Sequence, residues 1–237
     1  MTAAWTPSDD LRMGLSAVAG EAAMFDASGA LFLPAHNLLV VSDLHLEKGS
    51  SLARRGSLLP PYDTLATLTR LQAAVNRHAP RIVVCLGDSF HDATGSARLP
   101  EPFRELLGAM MAGRDWLWVS GNHDPDPPEG VGGDAVREIA FGRLVLRHEP
   151  SRKTEHGEIA GHLHPGARIV RRGRSLRRRC FATDGHRLVM PAFGSYTGSL
   201  NVLDRAFTGL FRGEGLVAHM LGASRTYAIA ASSLRPG

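Results

Sequence analysis

Five short runs of this 237-residue chain carry metal-competent side chains at close spacing. They are Asp43-Leu44-His45, Gly87-Asp88, Gly121-Asn122-His123-Asp124, Arg147-His148 and Gly161-His162-Leu163-His164-Pro165. Asp43 and His45 stand two apart, as do His162 and His164, so each pair shares a face if the chain runs extended through it. Asp43, Asp88, Asn122, His45, His148, His162 and His164 supply two carboxylates, one amide oxygen and four imidazoles, with His123 beside them. Such a set suits two adjacent divalent cations, one carboxylate bridging them across roughly 3.5–4 Å. Mixed imidazole and carboxylate donors favour Mn, Fe or Zn over Mg or Ca, which prefer oxygen alone. No cysteine stands at these positions, which disfavours a structural zinc site. Any one of these motifs is a weak signal, because a single histidine is usually structural; the ordered series of five carries the reading.

The elements that must hold these residues show in the apolar runs. Leu38-Leu39-Val40-Val41 leads into Ser42-Asp43, Ile82-Val83-Val84-Cys85-Leu86 into Gly87-Asp88, and Trp116-Leu117-Trp118-Val119 toward Gly121-Asn122. Each is short and unbroken, the pattern of a strand buried on both faces. In an α/β sheet, ligands bind beyond the carboxyl ends of such strands. Gly87 and Gly121 would let the backbone turn tightly beside a ligand. Pro60-Pro61 is expected to open a helix with Leu65, Leu68, Leu71 and Val75 on one face, and Phe103, Leu106, Leu107, Met110 and Met111 recur at helical spacing in a second. Asp26-Ala27-Ser28-Gly29 reads as a turn between short strands, residues 47–60 as a polar loop, and residues 124–134 as a loop rich in Pro and Gly.

The second half changes character. Leu144-Val145-Leu146, Glu158-Ile159-Ala160, Arg168-Ile169-Val170 and Leu188-Val189-Met190 are strand-like, and no helix with a clear face interrupts them. A strand–helix–strand first half followed mostly by strands implies an α/β fold of two sheets with helices outside. No linker or repeat divides the chain, so one domain is expected over residues 21–230. Residues 1–20 read as an irregular lead-in and residues 231–237 as a tail.

Composition narrows the class. Hydrophobic residues at 43% and charged residues at 21% exclude intrinsic disorder. No run approaches the roughly 18 apolar residues of a membrane span. Met1-Thr2-Ala3-Ala4-Trp5 offers no basic stretch feeding an apolar run, so no secretory signal is expected and a cytoplasmic location is. Two cysteines, Cys85 and Cys180, make no disulfide framework. The net charge of +4 is unevenly placed: residues 151–190 sum to +7, with ten basic residues against Glu155, Glu158 and Asp184. Only Lys48 and Lys153 are lysines, so nearly all the basic charge is arginine. That focus suggests a phosphate-rich partner, the alternative being a solvated arginine face.

The series Asp43-x-His45, Gly87-Asp88, Gly121-Asn122-His123-Asp124, His148 and Gly161-His162-x-His164 resembles the calcineurin-like metallophosphoesterase superfamily, over about residues 38–203. The resemblance implies a four-layer αββα sandwich of two mixed β-sheets with the metals at the sheet edge. It implies that Asp43, His45, Asp88 and His164 hold one ion, that Asp88, Asn122, His148 and His162 hold the other, and that His123 faces the substrate phosphate. His148 follows Arg147 where the superfamily commonly has Gly, which leaves His156 as a rival ligand. The longer runs Ser42-Asp43-Leu44-His45-Leu46-Glu47-Lys48-Gly49, Ala53-Arg54-Arg55-Gly56, Leu86-Gly87-Asp88-Ser89-Phe90-His91-Asp92, Ile159-Ala160-Gly161-His162-Leu163-His164-Pro165 and Pro191-Ala192-Phe193-Gly194 resemble the ligase-associated DNA damage response endonucleases, the PdeM group. That resemblance implies a manganese-dependent phosphodiesterase linked to a DNA ligase, an exonuclease and a helicase.

The expected reaction is in-line attack on phosphorus by a hydroxide held between the two ions. His123 would stabilise the transition state or protonate the leaving oxygen, a contribution on the order of 10²–10⁴-fold. Asp124 either orients His123 or caps a turn. His91 is expected to contact substrate, because nuclease members of the superfamily share its Gly-Asp-x-Phe-His wording; the alternative is a loop histidine packing under the site. Phe90 reads as core. Arg54 and Arg55 carry guanidinium forks that match phosphate oxygens, so at least one is expected to face substrate, the alternative being a solvated loop pair. Arg168, Arg171, Arg172, Arg174, Arg177, Arg178 and Arg179 follow His164, with Gly173 fitting a hairpin turn. Alternation would put some of them on the metal side, and Arg171 and Arg174 are expected to hold the backbone of DNA without reading bases. His36 and His78 read as surface or helix-end residues.

The expected function is a two-metal phosphodiesterase acting on DNA, an endonuclease in repair. A phosphodiesterase or phosphatase for nucleotide-sized molecules is the alternative. A non-catalytic scaffold would predict missing donors, and every donor position is filled.

Overall fold

A computed structural model describes residues 14–57, 62–153, 155–212 and 215–237. One sheet has the order β1 (Gly14–Val18), β2 (Glu21–Phe25), β3 (Leu31–Leu33), β4 (Leu38–Val41), β5 (Ile82–Leu86), β6 (Asp115–Val119) and β7 (Asp134–Val136). Its first four strands pair antiparallel and β4 to β7 pair parallel. The helices α1 (Lys48–Arg54), α2 (Asp63–His78), α3 (Gly95–Arg98) and α4 (Glu101–Met111) lie between these strands in the chain. The other sheet follows residue 137. It contains β8 (Glu138–Phe141), β9 (Leu144–Arg147), β10 (Glu158–Ala160), β11 (Pro165–Arg171), β12 (Arg174–Thr183), β13 (Leu188–Val189) and β14 (Leu200–Asn201). Their spatial order is β14-β11-β12-β13-β10-β9-β8, and β15 (Val217–Leu221) with β16 (Thr226–Ala230) joins through β12. It too is mixed, with β9, β10 and β13 parallel and the long β11–β12 pair antiparallel.

The three apolar runs become strands because both of their faces are covered. Along β4, Leu39 and Val41 pack under α2 and α4, while Leu38 and Val40 face the other sheet. β5 and β6 repeat this, with Val83, Cys85, Trp116 and Trp118 on the helix side and Val84, Leu86 and Val119 on the sheet side. The helices answer with Leu68, Leu71 and Val75 of α2 and Leu107 and Met110 of α4. Each side chain of this size is worth about 1.5–3 kcal/mol when fully buried. Between the sheets Phe25 stacks on Phe181 with ring centroids 4.7 Å apart.

The structure departs from the sequence expectations at several places. Leu65 shares the helical spacing of α2 but is exposed. Residues 48–54 form a helix, not a loop, and the Asp63 carboxylate accepts the Gly49 N–H at its start (3.0 Å). Pro60 and Pro61 lie outside the described residues. Part of the expected irregular lead-in is strand β1, and residues 1–13 lie outside the described residues. Residues 231–237 are docked. Leu234 is buried, the Arg235 N–H donates to the Arg168 carbonyl (2.8 Å), and Arg168 donates to the Pro236 carbonyl (2.8 Å). Among the described residues, the outer face of the second sheet is covered by 3-10 turns at Arg205–Phe207 and Ala231–Ser233 and by irregular chain, not by α-helices. No helix among the described residues is long and apolar enough to cross a membrane.

The core also sets a pH dependence. His219 on β15 lies edge-on to Phe25 (4.7 Å between centroids), and burial lowers its pKa to about 4. Below its ordinary value of 6.5 the unfolded chain takes up a proton that the folded chain refuses until about pH 4. Stability is therefore full above pH 6.5 and falls as the pH drops toward 4, by about 3 kcal/mol at most. Urea melts at pH 7 and pH 4.5 should differ less for His219→Asn than for the wild type. Equal differences in the two proteins would remove His219 as the cause.

Candidate metal centre

β4, β5 and β6 end side by side in one sheet, and β9 and β10 end side by side in the other. The loops that leave these five ends meet at one edge of the sandwich. The strands stop short of the donors: β4 ends at Val41 and β5 at Leu86. Asp43, His45, Asp88, His162 and His164 all adopt positive φ, between 45° and 67°. Non-glycine residues rarely do so, at a cost of about 1–3 kcal/mol each. The shared face of Asp43 and His45 is thus a feature of a left-handed loop rather than of a continued strand.

Hydrogen bonds from the surrounding loops fix this backbone. The N–H groups of Asp43, His45 and Leu46 donate to the carbonyls of Gly87 (3.2 Å), Asp88 (2.9 Å) and Ser89 (2.9 Å). From behind, the N–H groups of Phe193 and Gly194 donate to the carbonyls of Ser42 (2.7 Å) and Asp43 (3.0 Å). Two arginines hold that backing segment. Arg179 donates to the carbonyls of Ala192 (3.0 Å), Gly194 (2.8 Å) and Thr197 (2.9 Å), and Arg70 donates to the Phe193 carbonyl with its guanidinium 4.6 Å over the Phe193 ring. Arg179 is a brace, not a member of an exposed track. Gly87 and Gly121 are required for space. A Cβ at Gly87, where φ is +74°, would run into the His148 imidazole, and one at Gly121 would run into Asp88.

Two clusters that combine carboxylate and imidazole donors result, and His45, His91 and His123 form a third group, of imidazoles alone. In one of the two, His164 Nε2 lies 3.2 Å from Asp43 Oδ1 and 3.3 Å from His45 Nε2. In the other, His148 Nε2 lies 3.4 Å from Asp88 Oδ1 and 3.3 Å from His162 Nδ1, with Asn122 Oδ1 2.9 Å from both nitrogens. Within each group of Asp and His, all donor atoms fall within 4.8 Å of one another. Asp88 belongs to the second cluster, and its Oδ2 lies 3.8 Å from His45 Nε2 of the first.

The electrostatics favour cations at this place. Asp43 and Asp88 are buried, and neither pairs with a lysine or arginine among the described residues. Buried carboxylates need compensation. Burial pushes the His45 imidazole down to about 3 and also lowers His162, which keeps both in the neutral, ligating form. Burial works against protonation of His148 too, but Asp88 and Asp43 outweigh it and lift the group to about 9. The field that would hold a proton on His148 would hold a metal cation equally well. His148 Nδ1 faces the Leu86 carbonyl (3.1 Å), which leaves Nε2 toward the cluster. The residues present fit a divalent-metal site. His156, the rival of His148, instead pairs with His186 (2.9 Å between Nδ1 atoms) outside the clusters.

His91 and His123 stand at the open side of the donors. The His123 backbone N–H donates to Asp88 Oδ1 (2.9 Å), and its Nε2 lies 3.9 Å from Asp88 Oδ2. Its Nδ1 sits 3.0 Å from the His91 carbonyl, so His91, not Asp124, orients the ring. Asp124 instead accepts the Phe90 N–H (2.9 Å), and burial pushes its carboxyl up to about 7. His91 reaches His45 (3.4 Å between Nδ1 atoms) and lines the cleft. Phe90 is core. His36 and His78 close 3-10 and α-helical ends and pair with Glu21 (2.6 Å) and Asp26 (2.9 Å).

The cationic residues sort by distance. Lys48 lines the cleft, its Nζ donating to the Tyr196 carbonyl (3.0 Å). Sequence reasoning missed it, although a lysine among arginines was a visible signal. Arg54 and Arg55 line an adjoining hollow with Asp92 and Thr94, not the donor cleft itself. Arg171 and Arg174 face each other at the far end of the β11–β12 hairpin. At roughly 3.3 Å per residue that end lies about 20 Å from the His164 end of β11, so these two do not join the cleft.

Comparison with known proteins agrees with this geometry. A family model described as calcineurin-like phosphoesterase matches residues 36–186, a span that holds all seven donors with His91 and His123. The crystal structure of the Pseudomonas putida nuclease MPE superposes with a TM-score of 0.69 at 25% identity, covering 92% of this chain and 100% of that one. A phosphoesterase from E. coli, Yfce, gives a TM-score of 0.40 at 14% identity over 81% of this chain and 98% of that one. No curated protein matches the chain. With more than half its length matched, the chain belongs to the calcineurin-like phosphoesterase family and is a hydrolase of phosphoester bonds.

Proposed function

We propose that the protein is a two-metal phosphodiesterase that cuts DNA internally. The observation that carries this is the place of Asp88, with one oxygen toward His148 and the other toward His45. Asp43, His45, Asp88 and His164 would hold one ion, and Asp88, Asn122, His148 and His162 the other. Manganese suits this nitrogen and oxygen set, and Fe or Zn would take the same ligands. When bound, the ions activate water and screen the phosphate charge.

The chain's own groups do the remaining work. His123, half-exposed and oriented by the His91 carbonyl, presents Nε2 to the leaving oxygen as proton donor. Lys48 and His91 offer hydrogen bonds to phosphoryl oxygens at the same mouth. Arg54 and Arg55, one hollow further on, are placed for the next phosphate of a chain. Likeness to a nuclease over nearly the whole length supports nucleic acid as substrate. The local excess of +7 supports a polyanion. The longer motif runs support a cytoplasmic role in DNA repair beside a ligase, an exonuclease and a helicase.

A closed circle of single-stranded DNA tests this, because it has no ends for an exonuclease. With manganese the protein should linearise the circle, and a chelator should stop it. Turnover of a nucleotide-sized phosphodiester with the circle left intact would overturn the reading in favour of a small-molecule enzyme.

A further inference from the structure

The β11–β12 hairpin extends past the sheet it belongs to. β12 pairs with β13 and β15 only through residues 180–183, and β11 pairs with β14 only through Pro165 and Gly166. Residues 167–171 and 174–178 have no strand partner but each other and form a two-stranded ribbon, whose near end the tail braces through the Arg235 N–H on the Arg168 carbonyl. Its turn is tight, with Arg172 at φ +49° and Gly173 at φ +73°. Two positive φ angles in a two-residue loop are the geometry of a type I′ hairpin turn, which prefers Asn or Gly where Arg172 stands.

The charges on this ribbon oppose its own stability. Arg168 lies directly across from Arg177, and Arg171 directly across from Arg174. Like charges opposite each other in a strand pair are destabilising. Arg171, Arg172, Arg174, Arg177 and Arg178 are exposed. Among the described residues no arginine of this ribbon pairs with a carboxylate; the arginines that do are elsewhere. Arg168 and Arg177 donate to carbonyls of Pro236 and Ser199, whereas Arg171, Arg172 and Arg174 at the tip gather positive charge that no carboxylate among the described residues offsets, on a turn unsuited to arginine.

We propose that this ribbon is a docking arm for the sugar–phosphate backbone of a nucleic acid, separate from the metal centre. The proposal rests on the nuclease reading and adds a length dependence to it. The arm tip stands about 20 Å from the donors, the length of about six nucleotides at 3.4 Å per step. Shorter substrates reach the donors without touching the arm, whereas longer strands engage both. Arginine forks on a ribbon hold phosphates without reading base sequence.

The test compares the wild type with the combined variant Arg171→Gln, Arg172→Gln, Arg174→Gln and Arg178→Gln. Binding of a fluorescent 40-nucleotide DNA is measured in chelator across a salt series, and manganese-supported hydrolysis is measured on a nucleotide-sized phosphodiester. The variant should bind the 40-mer on the order of tenfold or more weakly at 0.1 M salt, with a log–log salt slope smaller by about 3. It should hydrolyse the small ester as the wild type does. A matching variant with four lysines should keep the slope. Unchanged binding and slope in the glutamine variant, while the wild type cleaves long DNA, would overturn the arm alone. Equal loss on the small ester would also overturn it, because the arginines would then act through the metal centre. A wild type that hydrolyses the ester but neither binds nor cuts long DNA would overturn the arm and the nuclease reading together.

Discussion

Asp88→Asn is expected to lower phosphodiester hydrolysis by about 10³-fold or more. The substitution keeps the shape of the side chain, and the amide oxygen can still accept the His123 N–H that Asp88 accepts at 2.9 Å. It removes the negative charge from a group that reaches both donor clusters. Metal-borne stabilisation of a transition state is worth several kcal/mol, and each 1.4 kcal/mol is tenfold in rate. A second readout separates the metal from the chemistry. Metal at 100 times its dissociation constant stabilises a folded protein by about 2.7 kcal/mol. Manganese should therefore raise the melting temperature of the wild type and raise that of the variant much less. Full turnover by Asp88→Asn, or an undiminished manganese effect on melting, would place the ions elsewhere.

Arg187→Met should be the most damaging substitution for stability. Arg187 and Glu158 are each 1% exposed, with Nε 2.7 Å from Oε2. Arg187 also donates to the carbonyls of Leu210 (2.9 Å) and Lys153 (2.7 Å). Methionine fills much of the volume but strands a carboxylate and two carbonyl groups. Glu158 keeps only Arg147 (3.2 Å) and the Ser151 N–H (2.8 Å), both on its other oxygen. Removing one partner of a buried pair costs about 3–5 kcal/mol. At about 2–4 °C per kcal/mol for a chain of this size, the melting temperature should fall by roughly 10–15 °C. Burial already raises the Glu158 pKa, so Glu158→Gln added to Arg187→Met should recover part of the loss. A loss below about 1 kcal/mol in urea melts would show that the pair does not anchor β10.

The parts of this molecule that were legible in the sequence are those where local pattern and tertiary role coincide. A strand buried on both faces has to be an unbroken apolar run, so β4, β5 and β6 announced themselves, and so did the polar residues that follow them. The donors needed their own chemistry and could not be disguised. Backbone conformation was not legible: nothing in Asp43-Leu44-His45 signals left-handed φ angles, which are imposed by the loops of Gly87–Ser89 and Phe193–Gly194. The two roles open to Asp124, orienting His123 or capping a turn, could not be separated in the sequence, because its partner, the Phe90 N–H, lies 34 residues away in the chain. Alternation was expected along β11, but burial there declines steadily from Pro165 to Arg171 as the strand runs out past its neighbours. Arg171 and Arg174, expected to hold DNA backbone beside the site, stand at the far end of the β11–β12 hairpin. Arg179, spaced like its neighbours in the same run, turned inward as a brace because the carbonyls of Ala192, Gly194 and Thr197 await it.

The division of the donors between the two sheets bears on how the protein is made. Asp43, His45, Asp88 and Asn122 are synthesised first, and neither cluster is complete without His148, His162 or His164. The Asp43 carboxylate is held by the His162 N–H, 119 residues later, and its carbonyl by the Gly194 N–H, later still. A chain still emerging from the ribosome therefore carries no working centre. The centre is thus assembled late, after residue 194 has been translated and the two sheets have closed.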